Sequence, residues 1–437
     1  MKASFHTLGC KLNFSETSTI GQQFLQNGFE IVDFKEKADV CVINTCSVTD
    51  NAEKECRQLV RRIRRLNPDT FIAVTGCYAQ LRPDDIAAID GVDAVFGNSE
   101  KFKLFSLLEN FNKNEMSCVY VNPTETLSDF NPAYSTDADS RTRAFLKIQD
   151  GCDYSCTFCT IPLARGKSRS QDEDSIIDEF KSLLLQDYKE IILTGVNVGD
   201  YGRKQNLNLF HLLKRMIEIP GEFRIRISSI EPNLLTDEII DLTAASEKLC
   251  NHFHIPLQSG SSKILRLMKR RYTAEFFKKL ILKINSKIKN VGIGVDIIVG
   301  TPGETEEDFL TTYNFIKDLQ ISYLHVFTYS ERPMTEAIEM EGKVDYAERK
   351  KRNNMLRILS DKKRNLFYQK QIGNELEVLF ERNRQNGNML GFSSNYVRVS
   401  SPLIFDLVNT LTNVKIAELD ENFCLTEHKK ISTEAVS

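Results

Sequence analysis

The chain has no tryptophan, no low-complexity tract and no apolar run reaching the roughly 18–20 residues that a membrane span needs. No membrane association is therefore expected. A charge excess is also missing: 57 Lys and Arg against 60 Asp and Glu leave a net charge of −3, so there is no global nucleic-acid signature. The opening MKASFHTLGCKLN contains no signal-peptide core, because charged and polar residues interrupt it at once. A cytoplasmic location is the expectation. In that compartment the eleven cysteines do not read as a disulfide framework, and clustered ones point to metal or redox chemistry.

What is present is an ordinary globular balance, 41% hydrophobic and 27% charged, over 437 residues, which suggests two or three domains. Residues 1–121 alternate short apolar runs with helical patterns, the signal of an open parallel α/β sheet. Strands are expected at Ala3–Thr7, Val40–Asn44, Phe71–Thr75 and Ala94–Phe96, with helices at Ser15–Asn27, Asn51–Leu66 and Lys101–Glu109. Residues 122–142 are rich in turn formers and read as a linker. Alternation resumes over 143–370, with strands expected at Phe145–Gln149, Glu190–Thr194, Phe223–Ser228, Phe253–Pro256, Gly294–Val299 and Tyr323–Thr328. These six βα-type units predict a partial (β/α)6, TIM-like barrel, closed by a basic helix at Tyr346–Lys370. Residues 371–432 carry short strand patterns (ELEVLFE, NMLGFSSNYVRVS, NVKIAELD, NFCLTEH) separated by Asn, Gly and Ser, which predicts a small antiparallel β-barrel of OB-like size. The tail KKISTEAVS is expected to be loose. Three stretches are locally basic: Arg57–Arg65, Lys263–Lys289 and Arg349–Lys370. Each taken alone reads as a solvated helix face before it reads as an RNA contact.

Cys152, Cys156 and Cys159 form CDYSCTFC directly after the first barrel strand. Zinc normally takes four ligands and no fourth lies nearby. Three thiolates on a 4Fe–4S cluster instead leave one iron open, able to chelate the amino and carboxylate groups of S-adenosylmethionine (SAM). The carboxyl end of a barrel strand is where such folds place chemistry. Cys10, Cys46 and Cys77 are far apart in sequence, yet each follows an expected strand: SFHTLGC, VCVINTC and FIAVTGC. Strand carboxyl ends of an open parallel sheet converge on one crevice, where three thiolates could hold a second cluster. Cys41, Cys56, Cys118, Cys250 and Cys424 have no comparable context and read as structural.

The segments TLGCKLNFSET, NTCSVT, TGCYAQ and GCDYSCTFCTIPLARGKSRS together resemble the methylthiotransferase family of radical SAM enzymes, over almost the whole chain. The terminal β-domain resembles the TRAM module. The resemblance implies two 4Fe–4S clusters, on Cys10, Cys46 and Cys77 and on Cys152, Cys156 and Cys159, with all six cysteines catalytic. It implies that one SAM methylates a sulfur on the first cluster. A second SAM is then cleaved at the other cluster to a 5′-deoxyadenosyl radical, which activates an unreactive C–H bond. An electron-donor protein such as a flavodoxin or ferredoxin is implied. Gly195, Asn197, Ser229, Glu231, Gln258, Ser259, Arg270 and Asp296 fall where the family contacts SAM, Arg270 facing its carboxylate. Each also reads as an ordinary loop or packing residue. In YSERPMTEA the family usually has Gly where this chain has Met334, which is costly if φ there is positive.

The family acts on a tRNA adenosine beside the anticodon or on a ribosomal-protein aspartate. GCKLN and CTFCTIPLARGKSRS resemble the branch acting on N6-threonylcarbamoyladenosine, with the isopentenyladenosine and ribosomal branches as alternatives. A threonylcarbamoyl carboxylate calls for a cation, and Arg165, Lys167 and Arg169 are candidates, with phosphate contact or plain surface charge as the competing role. A reading from another class, a redox-sensing RNA-binding protein with structural clusters, leaves the SAM-loop motifs without a purpose.

Overall fold

Short runs of aliphatic and β-branched residues that are buried along their whole length belong in a parallel sheet covered on both faces. The computed structural model describes residues 1–47, 51–113, 116–136, 142–385, 387–420 and 422–427. In it these runs are β1 (Lys2–Thr7), β3 (Val40–Thr45), β4 (Phe71–Gly76) and β5 (Ala94–Phe96). Two strands without an apolar run, β2 (Glu30–Ile31) and β6 (Cys118–Tyr120), complete a six-stranded sheet in the order β2-β1-β3-β4-β5-β6. Every pairing in it is parallel.

Around this sheet lie α1 (Lys11–Gln26), α2 (Asn51–Leu66), α3 (Cys77–Leu81), α4 (Pro83–Ala87) and α5 (Leu104–Leu107). Helix α2 buries Cys56, Val60 and Ile63 at helical spacing and leaves Arg61, Arg62 and Arg65 exposed. The helix expected at Lys101–Glu109 is instead a 3-10 turn, Glu100–Phe102, followed by the single turn α5. Lys101 there is buried in an ion pair with Glu16, which a continuous solvent-facing helix would not permit. Helix α1 starts at Lys11, four residues before the expected Ser15, with Cys10 as its extended N-cap.

The central strands are β7 (Tyr134–Thr136), β8 (Arg143–Lys147), β9 (Gln149–Asp150), β10 (Arg169–Ser170), β11 (Glu190–Thr194), β12 (Arg224–Ile227), β13 (His252–Gln258), β14 (Gly292–Val299) and β15 (Tyr323–Thr328). Helices α6 (Ile161–Arg165), α7 (Glu173–Leu185), α8 (Leu209–Glu218), α9 (Asp237–Ala245), α10 (Ser262–Leu267), α11 (Ala274–Lys287), α12 (Glu306–Asp318) and α13 (Tyr346–Gln369) connect or cover them. Strands β8, β11 and β12 pair in parallel, as do β13, β14 and β15, and isolated parallel bridges Ile225–Leu249 and Ser229–His254 join the halves. Six parallel strands thus curve around one core without closing. On one free edge β7, from within the expected linker, pairs antiparallel with β8, and α1 packs beside it through Thr19 and Tyr134. On the other edge α13 side chains satisfy β15: Ser360 bonds Leu324 N and O at 2.8 and 3.0 Å, and Asn353 bonds Val326 O at 3.1 Å.

Strands β16 (Glu375–Gln385), β17 (Asn388–Ser393), β18 (Arg398–Pro402), β19 (Leu411–Asp420) and β20 (Phe423–Thr426) form a closed barrel. The run NMLGFSSNYVRVS is split between β17 and β18 by a turn at Tyr396, where φ is +68°. That turn docks on the amino-terminal end of the central barrel. Tyr396 packs on His252, while Arg226 donates to the Ser393 and Ser394 carbonyls at 3.1 and 3.0 Å. The stretch Lys263–Lys289 is largely neutralised, with Lys263 on Asp308, Lys283 on Asp237 and Lys287 on Asp241. Among the described residues no helix is long and apolar enough to cross a membrane. Residues 137–141 of the expected linker, the end of the small barrel from His428 and the tail fall outside the described residues.

Candidate active site

Cys10, Cys46 and Cys77 follow three neighbouring parallel strands, β1, β3 and β4. Strand order reverses between β1 and β3, and such a reversal opens a crevice at the carboxyl edge of a sheet. Two glycines let the turns close on it. Gly9 has φ +106°, and a Cβ there would lie 2.6 Å from Cys46 Cβ; at Gly76, φ +101°, it would lie 2.3 Å from the Thr45 carbonyl oxygen. Buried Asn13 ties the first two turns together, its Nδ2 donating to Leu8 O at 3.0 Å and Thr45 O at 2.9 Å. Arg165 reaches in from the barrel, donating through Nε to Cys77 Sγ at 3.2 Å and through Nη2 to Asn13 Oδ1 at 2.7 Å. Cys10 is exposed as a residue, but its sulfur sits 3.9 Å from Asn13 Oδ1, and burial of that sulfur raises its pKa against the pull of Arg165.

Cys152, Cys156 and Cys159 lie on the loop between β9 and α6. The loop is folded on itself by Cys152 N–H to Gly166 O at 3.0 Å and Cys159 N–H to Cys156 O at 3.1 Å. Each sulfur receives an N–H: Tyr154 N–H at Cys152, 3.4 Å, Arg270 Nη1 at Cys156, 3.1 Å, and the Ile161 backbone at Cys159. Burial pushes Cys152 up to about 11 and Cys159 up to about 12. The protein alone keeps these thiols neutral near pH 7; a thiophilic metal bound there would supply the ionisation. A cavity of about 1280 Å³ is walled by all three of these cysteines and reaches Met334. A second, of about 780 Å³, is lined by Cys159 and by Ser47, the neighbour of Cys46, so one space approaches both triplets. Helix α6 starts two residues after Cys159 and ends at Arg165 on Cys77, five residues or about 7.5 Å at 1.5 Å per residue.

Two family models match the chain: the uncharacterized protein family UPF0004 over residues 2–97 and the radical SAM superfamily over 146–316. A threonylcarbamoyladenosine tRNA methylthiotransferase of Bacillus subtilis is 41% identical over 419 residues, covering 94% of this chain and 93% of its own. The chain belongs to the radical SAM methylthiotransferase family. A protein of the same name from Aquifex aeolicus is 40% identical, covering 88% of this chain and 94% of its own. A tRNA-2-methylthio-N(6)-dimethylallyladenosine synthase from Clostridium novyi is 33% identical, covering 96% and 94%. Among solved structures the radical SAM methyltransferase TsrM from Kitasatospora setae aligns with a TM-score of 0.57 at 16% identity, over 77% of this chain and 75% of that one, a likeness of fold.

A 4Fe–4S cluster and SAM come with membership of the radical SAM superfamily. The methylthiotransferase has groups that fit SAM beside the second triplet. Gly195 abuts Gln149, where a Cβ would lie 2.9 Å from the carbonyl oxygen. Asn197 donates its backbone N–H to Gln149 Oε1 at 2.9 Å, and among the described residues its buried Nδ2 has no partner. Gln258, in the left-handed region at φ +68°, likewise has a buried Oε1 without a partner. Gln258 lines the 780 Å³ cavity, and an orphaned polar atom in a cavity wall is what a polar ligand satisfies. Ser229 bridges to His254 at the seam of the two half-sheets. Glu231 accepts from Arg270, which also touches Cys156 and the Tyr272 hydroxyl, so Arg270 is poised at the cysteines but already paired. Two expected contacts have other partners. Ser259 is fully buried and bonds Thr312 at 3.1 Å. Asp296 lies against His254 Nε2 at 2.7 Å and His325 Nδ1 at 3.3 Å; burial would raise its carboxyl, but the two histidines hold it well below the usual range.

The three expected substrate cations do not act alike. Arg165 is 1% exposed and bonded to both Glu16 oxygens at 2.9 Å and to Asp150 at 3.0 Å. Arg169 donates to Arg165 O at 2.6 Å and to Asp150 at 2.9 Å. Both belong to a buried network that also contains Lys101 and Lys147 and joins sheet to barrel, and of their side-chain nitrogens only the buried Nε of Arg169 is left without a partner among the described residues. Lys167 alone is exposed, on the wall of the larger cavity. Glu16, Asn13 and Asp150 carry no sequence signal for this role, since 85 to 152 residues separate Glu16 and Asn13 from their partners in Lys101, Lys147 and Arg165.

Proposed function

We propose that this enzyme attaches a methylthio group to C2 of N6-threonylcarbamoyladenosine next to the anticodon of tRNA. The observation that carries the reading is the identity, 41% and 40% over most of each chain, with two enzymes named for that nucleoside, against 33% for one named for the dimethylallyl nucleoside. In this reading Cys152, Cys156 and Cys159 hold the cluster that binds SAM, and Cys10, Cys46 and Cys77 hold a second 4Fe–4S cluster. Bound there, the clusters and SAM supply radical and sulfur chemistry that side chains cannot. The chain's own residues do the rest. Asn197, Glu231, Gln258 and Arg270 orient SAM, the glycine-linked turns hold one triplet at the sheet edge, and α6 sets the spacing between triplets. The functional units are residues 1–121, 143–370 and 371–432, with a connecting segment at 122–142. A flavodoxin or ferredoxin supplies electrons, and the enzyme works in the cytoplasm. Reduced enzyme with SAM should methylthiolate tRNA bearing threonylcarbamoyladenosine, read by nucleoside mass spectrometry. Product only from isopentenyl-modified tRNA would move the enzyme to the other branch.

A further inference from the structure

Arg165 and Arg169 are paired with Glu16 and Asp150, and Lys167 lies on the wall of the larger cavity, whereas α13 brings two further cations to the smaller one. Residues Tyr346, Lys350, Asn353 and Arg357 fall on one stripe of this helix, spaced four, three and four apart, and all line the 780 Å³ cavity that contains Cys159 and Ser47. The buried cations of the same helix are used in packing: Arg349 on Glu331 at 2.6 Å, Arg352 on Glu304 at 2.7 Å, Lys363 on the Lys317 and Leu319 carbonyls. Lys350 and Arg357 differ. Both are exposed, and among the described residues neither has a hydrogen bond or an ion pair; Lys350 only lies over the Tyr346 ring at 4.6 Å.

The cavity's acidic group, Asp296, is already faced by His254 and His325, and its cations are Lys350 and Arg357 on the helix together with Arg332, which donates to the Ser47 carbonyl. Phe327, 41% exposed in the same wall, offers a face on which a base can stack. The volume lies in the range of small-molecule sites. We propose that Lys350 and Arg357 form an anion subsite that binds the carboxylate of the threonylcarbamoyl group, so that the attached base is directed toward the cysteine triplets. Arg357 supplies a planar fork suited to two carboxylate oxygens, and Lys350 a second charge. The inference rests on the substrate reading above and adds to it the residues that select the substrate.

The test is equilibrium binding of the full-length protein to anticodon stem-loops carrying threonylcarbamoyladenosine, either with its free carboxylate or as the neutral methylamide. The unaltered protein should favour the acid by about 10-fold to 100-fold, the worth of a charge-assisted contact. K350A/R357A should erase that preference, and K350R/R357K should retain much of it. Thermal melting of each variant verifies folding. Equal weakening toward both RNAs, with a shallower salt dependence, would assign these cations to backbone phosphate and overturn the proposal. An intact preference in K350A/R357A would overturn it as well. Failure of the substrate reading is distinct: the unaltered protein would bind acid and amide alike and methylthiolate neither.

Discussion

Met334 sits at φ +66° with 59% of its surface exposed, at the rim of the cavity that holds Cys152, Cys156 and Cys159. An L-residue in the left-handed region costs roughly 1–2 kcal/mol, and glycine there gives back about 0.5–1 kcal/mol as lost chain entropy. M334G should therefore melt at or slightly above the parent temperature, by the equivalent of up to about 1 kcal/mol. A clear loss of stability by calorimetry would mean that the side chain is held by packing after all. The position was legible in the sequence, because the family pattern has glycine there. Arg165 was not. Its neighbours in ARGKSRS mark it only as one of several cations, and its burial against Glu16 and Cys77 depends on residues far away in the chain.

At the scale of elements, the two cysteine triplets are built differently. One is a single loop after β9; the other is three turns after three strands, held by Asn13 and by glycines at positive φ. This difference predicts independent loading. Anaerobic reconstitution should give about eight irons per chain for two 4Fe–4S clusters. The triple variant of Cys152, Cys156 and Cys159 to Ala should retain about four and lose 5′-deoxyadenosine formation. The corresponding variant of Cys10, Cys46 and Cys77 should also keep about four, retain some abortive SAM cleavage and lose methylthiolation. Iron analysis and product chromatography measure both, and full iron content in either variant would count against the assignment. The six barrel strands and the four apolar strands of the first sheet could be read from their hydrophobic runs. Strands β2, β6 and β7 could not, because two or three residues of ordinary composition become strand only when a neighbour pairs with them.

For the molecule as a whole, two buried polar joints link its parts. One is the Glu16 network between sheet and barrel. The other lies under the small terminal barrel, where fully buried Glu190 bonds Arg224 at 2.6 Å and Arg226 at 2.8 Å, and those arginines also bond carbonyls of Phe392, Ser393 and Ser394. Burial would raise the Glu190 carboxyl, but Arg226, Arg224 and Arg143 outweigh it and hold it well below the carboxylate range. A depressed carboxyl stabilises the fold above its unfolded-state pKa, about 4.3, and that contribution is lost as pH falls below it. The parent should therefore lose stability steeply below about pH 5, whereas E190Q should lose about 3–5 kcal/mol at neutral pH and show a flatter acid profile. Denaturant titrations across pH check this; parallel profiles would remove Glu190 from the joint. The docking also means that the terminal barrel closes the amino-terminal end of the central one. Cutting after Lys370 would therefore strip partners from Arg224 and Arg226, in addition to any loss of RNA contact.

Hydrophobic period and turn chemistry indicated the fold class in sequence alone, and the resemblance of the cysteine-bearing segments indicated the family. Those signals are local: a strand, a loop or a helix face needs only a few consecutive residues to declare itself. Partnership among charges is not local. Which of Arg165, Lys167, Arg169, Lys350 and Arg357 stays free, and which is neutralised in the interior, depends on carboxylates brought from elsewhere in the chain. A buried cation must find such a partner or lose its charge, and an exposed one need not. The assignment of those arginines and lysines was made by the tertiary structure, where desolvation decides which charges are paired.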